Sequence, residues 1–582
     1  MHKKMRKSPA AILLLAVALT AILGGCSDKS GSDSGSGNGS AEASKGAEAS
    51  KPAEAVTLQV FSMPSNTSGL QQGWYADILR DKAGVNLELL PAGDHGEQKL
   101  QALMAGGELP DIVVFKTKRQ VEDAVRAGML INLDDHIDKL PNVAKNAPTA
   151  LQYYRDAASN GSGKAFAIPN QVGPSEVGAT INYGPFIRWD LYKKLGLPQI
   201  KDLEDYLPVL KQMQDLEPKN KDGQKVYAFT LWQDWDYIQM MLAAQPSNFM
   251  GIDTGDQLDA SLPFMQVDVA SGETKSVLDR DSQYIRSLRF YYEANQMGLI
   301  DPDSLTQRWD TAVEKMNQGR VLFSVWPWYN NNKKELVDAD PPTGFEFVPF
   351  DSYKGTWFGD NPIGNTWAFA ISASTKHLDA ALKYIDFMYS TDGLQLLMNG
   401  PKGVVWDMNE QGEPYITDQG WDRIENGKEL PGGGTLSSAV NAVNAQGLSG
   451  AVVNPETNAP LNYTLWPTTI SRNPSKLTQD WQSTTGFKTQ TEMLKAKNMY
   501  TLSTLAMKLV PTMPEEINAK VSRIADIVKT NSWLAVFAKN DEDFEKFVGE
   551  MASKAEGLGL QEVLEWDAAA WKQAQGDADR YK

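Results

Sequence analysis

The 582-residue chain carries 56 Lys and Arg against 73 Asp and Glu, a formal net charge of −17. An acidic surface of this kind argues against a nucleic-acid partner and against docking on anionic lipid. The single cysteine excludes intramolecular disulfides and thiolate metal clusters, so a chain of this length must be held by packing.

Lys3, Lys4, Arg6 and Lys7 precede an apolar run at 10–23 that is interrupted only by Thr20. The run falls short of the ~20 residues that span a bilayer and has the form of a signal-peptide core. It ends in Leu23-Gly24-Gly25-Cys26, which resembles a bacterial lipobox. The small residues let a peptidase approach the backbone, and the thiol then takes a diacylglyceryl group. The alternative is an ordinary signal peptide with a chance cysteine, but Cys26 stands where a lipobox needs it. Removing 1–25 deletes four positive charges and takes the formal charge from −17 to −21. Residues 26–55, after Cys26 almost all Ser, Gly, Ala, Glu and Lys, lack the apolar side chains to form a core and read as a flexible tether. Stable anchoring takes more than one acyl chain, one on the sulfur and another on the new amino terminus.

From Val56 the pattern alternates. Val56, Leu58 and Val60 share one face of a strand, and Trp74, Ile78 and Leu79 fall at helical spacing before Gly84. Residues 85–89 alternate again, so strand, helix and strand form a right-handed βαβ unit on a parallel sheet. A helix at 97–105 stops at Gly106-Gly107, and 109–115 (LPDIVVF) is apolar enough to be a strand buried on both faces. Residues 177–335 are richer in helix and in Trp. Strands are expected around Phe345, Phe347 and Val348 and at 368–371, with helices at 378–389 and 391–398. In the tail, Ile517, Val521, Ile524 and Val528 repeat at helical spacing. No repeat of 20–50 residues is present, which argues against solenoids and propellers.

Five stretches, in order, resemble the family 1 extracellular solute-binding proteins of ABC importers. They are 100–113 (LQALMAGGELPDIV), 163–169 (GKAFAIP) and 187–197 (IRWDLYKKLGL), then 316–323 (MNQGRVLF) followed by Trp326-Pro327-Trp328. The last is 371–374 (ISAS) with 380–388 (AALKYIDFM) and Asp392-Gly393. The chain is most similar to the large lipoproteins of that family, such as alginate-oligosaccharide-binding proteins. The resemblance implies an α/β, two-lobed periplasmic-binding-protein-like fold of type II, with a ligand cleft between lobes joined by crossing strands. It places the first lobe at 56–175 plus 340–400 and the second at 176–339 plus 401–582. It also implies a monomer on the outer face of the cell membrane that binds an oligosaccharide and delivers it to the transmembrane subunits of an ABC permease.

Members of this branch often carry a calcium loop, and the matching stretch here is 217–225 (EPKNKDGQK). It keeps the turn Asp222-Gly223 but sets Lys219, Lys221 and Lys225 among the would-be ligands. Calcium needs six or more oxygens, several of them charged, so no metal or other cofactor is expected.

Sugars present an apolar C–H face and a rim of hydroxyls, so their sites combine stacked aromatics with Asp, Asn, Gln or Arg. Residues 229–237 (FTLWQDWDY) gather Trp232, Asp234 and Trp235. A second knot holds Trp326, Trp328 and Tyr329, and Trp328 matches the position at which the resembled family places a sugar-stacking ring. Trp357, Asn365, Trp367 and Trp406 lie on expected loops of the first lobe or its exit. Arg188 is either a cleft cation or a partner for Asp190 or Asp202. Core packing is the alternative for each Trp, and Trp74 and Trp189, on apolar helical stripes, read as core.

Catalytic signatures are missing: His2, His95, His136 and His377 are scattered, and no HExxH, Gly-x-Ser-x-Gly, Walker A or dinucleotide fingerprint occurs. The 73 acidic residues make some carboxylate pair unavoidable, which leaves a membrane-anchored polysaccharide-degrading enzyme as one alternative. A sensor subunit that presents ligand to a receptor is another, with the same fold. A metal ligand is disfavoured by the scattered histidines and a peptide by the Trp knots.

Overall fold

Ile112–Phe115 and Ala368–Ile371 are apolar and buried at every position because both faces of the first sheet are covered there, whereas Val56–Ser62 begins by alternating apolar with polar residues. The computed structural model describes residues 55–581 other than 66, 179, 180, 182, 255–261, 358 and 473. The signal sequence, Cys26 and most of the tether lie outside the described residues. Gly69–Leu70, Val85–Pro91, Val56–Ser62, Ile112–Phe115, Ala368–Ile371 and Ile168–Pro169 lie side by side in that order. Val56–Ser62 runs parallel to both neighbours, with Val60 opposite Leu89 and Ile112. The helix Trp74–Lys82 supplies the crossover that the alternating pattern predicts. Ala368–Ile371 returns from a distant part of the sequence and inserts antiparallel beside Ile112–Phe115.

The two-residue period of these strands divides their side chains between two cores. Leu58, Val60, Ile112, Val114, Phe369 and Ile371 face one, together with Leu79 and Ile385 from helices. Phe61, Val113, Phe115, Ala368 and Ala370 face the other. Each fully buried side chain of this size contributes roughly 1.5–3 kcal/mol.

The second lobe is built on an antiparallel sheet in the order Phe323–Ser324, Phe186–Arg188, Phe345–Phe347. Phe186, Phe229, Phe323, Phe347 and Phe350 meet there in tilted or edge-on ring contacts with Tyr206, Tyr291 and Tyr353. The tail helices Glu515–Val536 and Asp541–Gly557 close this core with Ile524, Val528, Phe544 and Met551.

Several segments pack elsewhere than the expected lobe limits suggest, among them 505–510 and 570–581, expected with the second lobe and packed on the first sheet. Phe345–Phe347, expected with the first lobe, pairs antiparallel with Phe186–Arg188 in the second, where Phe345 and Phe347 are buried in its core. Residues 405–466, expected with the second lobe, bring Val405, Leu430, Val443, Leu461 and Trp466 into the first core. Long-range hydrogen bonds hold them there: Ser62 and Ser65 donate from the end of the central strand to the carbonyls of Val443 and Ala442, at 2.5 and 2.6 Å. Trp74 adds a bond from its ring nitrogen to Thr435 O, 3.1 Å away.

The chain therefore passes between cores within 172–181, 353–363 and 466–477, and again on either side of 506–510. Gly173 and Asn361 exchange backbone hydrogen bonds of 3.1 and 2.9 Å where two of these passages meet. The helix Leu560–Asp577 begins in the second core, with Leu560 and Val563. It ends against the first sheet, where Ala570, Trp571 and Ala574 cover the face bearing Phe61 and Phe115, with Leu509, Val510 and Met265. Tyr581 finishes the contact edge-on to Tyr153 and donates to Asp156 at 2.7 Å. Midway along this helix Asp567 is fully buried, its carboxylate facing the Phe264 amide and no side-chain donor among the described residues. Burial pushes its carboxyl up to about 8, and the nearby Phe264 amide offsets this only in part. No helix among the described residues is long and apolar enough to cross a membrane.

Candidate functional site

The two aromatic stretches of the second lobe fold onto one another. Residues 229–231 run beside Leu299–Asp301, with Leu231 N bonded to Ser304 Oγ at 2.9 Å. The following loop is then fixed at three points. Gln233 Nε2 donates to Leu305 O at 3.0 Å, and Asp234 accepts from the Trp309 amide at 3.1 Å, at the start of the helix Trp309–Asn317. Asp236 accepts from the Met241 amide at 2.9 Å and from Trp533 Nε1 at 2.6 Å. Burial pushes the Asp236 carboxyl up to about 6, against the lowering effect of these bonds and of Lys529. In the second stretch, Ser324 Oγ closes a tight turn by donating to Trp326 O and accepting from Trp326 N.

Six rings meet as a result. Trp232 touches Trp235, Trp309, Trp326 and Tyr329. Trp235 lies 4.3 Å from Trp309, and Trp328 stacks on Trp326 at 5.0 Å and 23°. Trp232 is 1% exposed, Trp326 and Tyr329 are buried, and Tyr329 donates to Ala312 O at 3.1 Å. Trp328 and Trp235, at 57% and 38% exposure, are left on top, their centroids 6.2 Å apart. Large rings on a surface are costly unless something covers them, and this exposed pair rests on a rigid base of buried rings.

The remaining expected residues divide by place. Trp357 stacks on Tyr500 at 4.4 Å and 19°, half-buried, where strands Gly355–Trp357 and Tyr500–Leu502 run parallel. Asn365 sits where the chain crosses between lobes, bonded to Gln171, to Lys508 and, at 2.9 Å, to Asn361 Nδ2. Trp367 is half-buried against the first core. Trp406 is buried there edge-on to Trp466, its ring nitrogen on Gly400 O at 3.0 Å, so packing uses its faces. Arg188 is buried and held by Asp190 at 2.8 Å and Glu217 at 3.2 Å, so it is an ion-pair partner and not a free cleft cation. Asp202, the other carboxylate considered for it, pairs with Arg286 instead. Trp74 and Trp189 are buried in the cores. Trp309 was not singled out from the sequence, because Arg308-Trp309-Asp310 opens an ordinary amphipathic helix. Its place at the first helical position, where a side chain projects past the helix end, is the signal that could have found it.

The stretch matching a calcium loop is closed by its own side chains. Asn220 Oδ1 accepts from the amides of Asp222 and Gln224 at 3.1 and 2.8 Å, and its Nδ2 donates to Gln318 O at 2.9 Å. Among the described residues no cluster of His, Cys, Asp and Glu is arranged to hold a metal ion.

The family described as bacterial extracellular solute-binding protein matches residues 62–395. The fructooligosaccharide ABC transporter substrate-binding protein FusA of Streptococcus pneumoniae serotype 4 is 23% identical over 329 residues, 54% of this chain and 56% of that one. Lipoprotein LipO of Bacillus subtilis (strain 168) is 21% identical over 337 residues, 54% and 59% of the two chains. The match thus spans less than two thirds of either relative. Among solved structures, the alginate-binding protein AlgQ2 without calcium ion aligns with a TM-score of 0.57 at 17% identity, over 90% of this chain and 100% of that one. S. pneumoniae FusA in complex with kestose aligns at 0.56 and 16% identity, with the same coverage. The HMO-binding solute-binding protein of Bifidobacterium longum infantis ATCC 15697 aligns at 0.53 and 17%, over 89% and 98%. At such identities the likeness is one of fold, a two-lobed type II architecture with its cleft between the lobes.

Proposed function

Since the chain belongs to the bacterial extracellular solute-binding proteins, we propose that it captures an oligosaccharide between its lobes and hands it unaltered to the transmembrane subunits of an ABC importer. The observation that carries this reading is the pair Trp328 and Trp235, exposed side by side on buried Trp232, Trp326 and Tyr329. A flat apolar ring fixed from behind matches the C–H face of a sugar and loses little entropy on binding. Trp357 and Asn365, near the crossings, would meet the ligand when the lobes close. Trp367 is placed similarly, on the first lobe. Asp234 and Asp236 hold backbone and ring N–H groups of the site, which speaks for a positioning role over acid–base chemistry.

The same reading makes the protein a monomer tethered to the outer face of the membrane through lipidated Cys26. The Leu23-Gly24-Gly25-Cys26 sequence supports this, as does the description of the B. subtilis relative as a lipoprotein. The test is a thermal-shift screen of the purified chain against fructan, alginate, mannan and milk-type oligosaccharides. Chromatography of each binder after long incubation checks that it comes back intact. A binder raises the melting temperature by mass action. Cleavage of a bound glycan would replace this reading with an enzyme.

A further inference from the structure

Behind the loop that carries Trp235 lies a pocket of about 810 Å³. Its two sides come from distant parts of the sequence. Gln233 and Asp236 of the loop, with Leu305 from the turn before the helix Trp309–Asn317, form one side. Thr530, Trp533 and Leu534 of the helix Glu515–Val536 form part of the other. We propose that this pocket takes the outer units of a longer glycan whose inner ring lies on Trp328. The inference rests on the reading of the platform given above.

Three observations carry it. The first is continuity. Residues 233, 235 and 236 alternate between the two places: Trp235 packs into the platform, while Gln233 and Asp236 line the pocket. The platform and the pocket are thus built on the same loop, 233–236, which a glycan chain leaving the Trp328–Trp235 surface would follow.

The second is chemistry. Trp533 stacks on Phe537 at 18°, and Leu305 and Leu534 are 42% and 45% exposed, so the lining is apolar where nothing in the fold requires it. Lys529, Lys539 and Asp543 supply charged groups at the same pocket. Apolar side chains mixed with an equal share of polar and charged ones suit a sugar's C–H face and hydroxyl rim, and the volume lies within the ~300–1,000 Å³ usual for small-ligand sites.

The third is rigidity. The Asp236 carboxylate bridges Trp533 Nε1 and the Met241 amide, so the loop and the long helix are locked together. Trp533 belongs to the second core, and Phe537 and Phe547 pack against it. The pocket is therefore complete within one lobe and can hold a glycan before the lobes close. A long chain gains this contact and a short one does not, so the pocket selects for length.

The test uses titration calorimetry with size-graded ladders of fructan, alginate and mannan oligosaccharides, from disaccharide to octasaccharide. The wild type is compared with Leu305→Ser/Leu534→Ser, with Thr530→Trp, which fills the pocket from an exposed position, and with Trp328→Ala. Affinity of the wild type for at least one ladder should rise with length by ~tenfold or more and then level off. Both pocket variants should flatten that rise and leave short-chain affinity and melting temperature unchanged, whereas Trp328→Ala should weaken every length. An unchanged length dependence in the pocket variants overturns the pocket and leaves the platform standing. So do pocket variants that bind all lengths like wild type but fail to stimulate the importer, since the pocket would then be a protein contact. If no ladder binds the wild type, or Trp328→Ala binds as wild type does, the reading of the site itself falls, and the pocket with it.

Discussion

Trp328 lies over Trp326 with ring centroids 5.0 Å apart and planes inclined by 23°, an exposed ring backed by a buried one. The pairing separates two roles that a list of tryptophans cannot. Trp328→Ala removes the outer ring and few core contacts, so it should weaken glycan binding by ~2 kcal/mol or more, roughly thirtyfold, with little change in melting temperature. Trp232→Ala, at the centre of the six rings, should instead lower folding stability by ~3–5 kcal/mol. Calorimetric titration and thermal melting of both variants check this. A collapsed melting point in Trp328→Ala would assign that ring to the core.

Asp567 gives stability an unusual dependence on pH. Its folded-state value of about 8 stands above the ordinary 3.8. Below the ordinary value both folded and unfolded chains hold the proton and the buried carboxyl costs nothing extra. As pH rises toward about 8 the unfolded chain ionises while the folded chain does not. Stability from this group then falls by about 1.4 kcal/mol per pH unit, and the loss levels off once the folded state ionises too. Asp567→Asn should remove the slope. Its melting temperature relative to wild type should climb from mildly acidic to mildly alkaline buffer, and a difference that stays constant with pH would refute the assignment.

The turn at Asn220 should be independent of calcium. Chelator and millimolar calcium are expected to leave the melting temperature of the wild type unchanged. Asn220→Ala, which removes the hydrogen bonds to Asp222, Gln224 and Gln318, should destabilise by ~1–3 kcal/mol. A chelator-sensitive melting point would contradict this.

Cys26→Ala should abolish lipidation and leave the protein released or retained as precursor. Detergent partitioning and mass analysis of the amino terminus are the measurements. A variant that still partitions with wild type into detergent would show that the anchor lies elsewhere.

What could be read beforehand followed from local patterning. The alternation of Leu58, Val60 and Val85–Leu89 with a helix between them announced a parallel unit, and the unbroken apolar run at 112–115 announced a strand buried on both faces. The assignment of Phe345–Phe347 and of residues 405–466 to a lobe depended on long-range partners. Apolar periodicity says that a face is buried and nothing about which core buries it. The site shows the same division. Clustering points to Trp328, Trp232, Trp235 and Trp326 alike, and only burial separates the exposed Trp328 and Trp235 from the other two; the pairing of Arg188 with Glu217 follows from a fold in which residues 188 and 217 meet.

The helix Leu560–Asp577 has a bearing on how the molecule is made. Residues 505–510 and 570–581 are among those that cover Phe61, Val113 and Phe115, a face of the very first strands to emerge. Leu100, Val121 and Tyr154 cover part of that face early, but the part that 505–510 and 570–581 cover stays open in a growing chain while some four hundred further residues follow. Until residues 505–510 and 570–581 dock, that face is where a partly folded chain is prone to clump, and their arrival closes it.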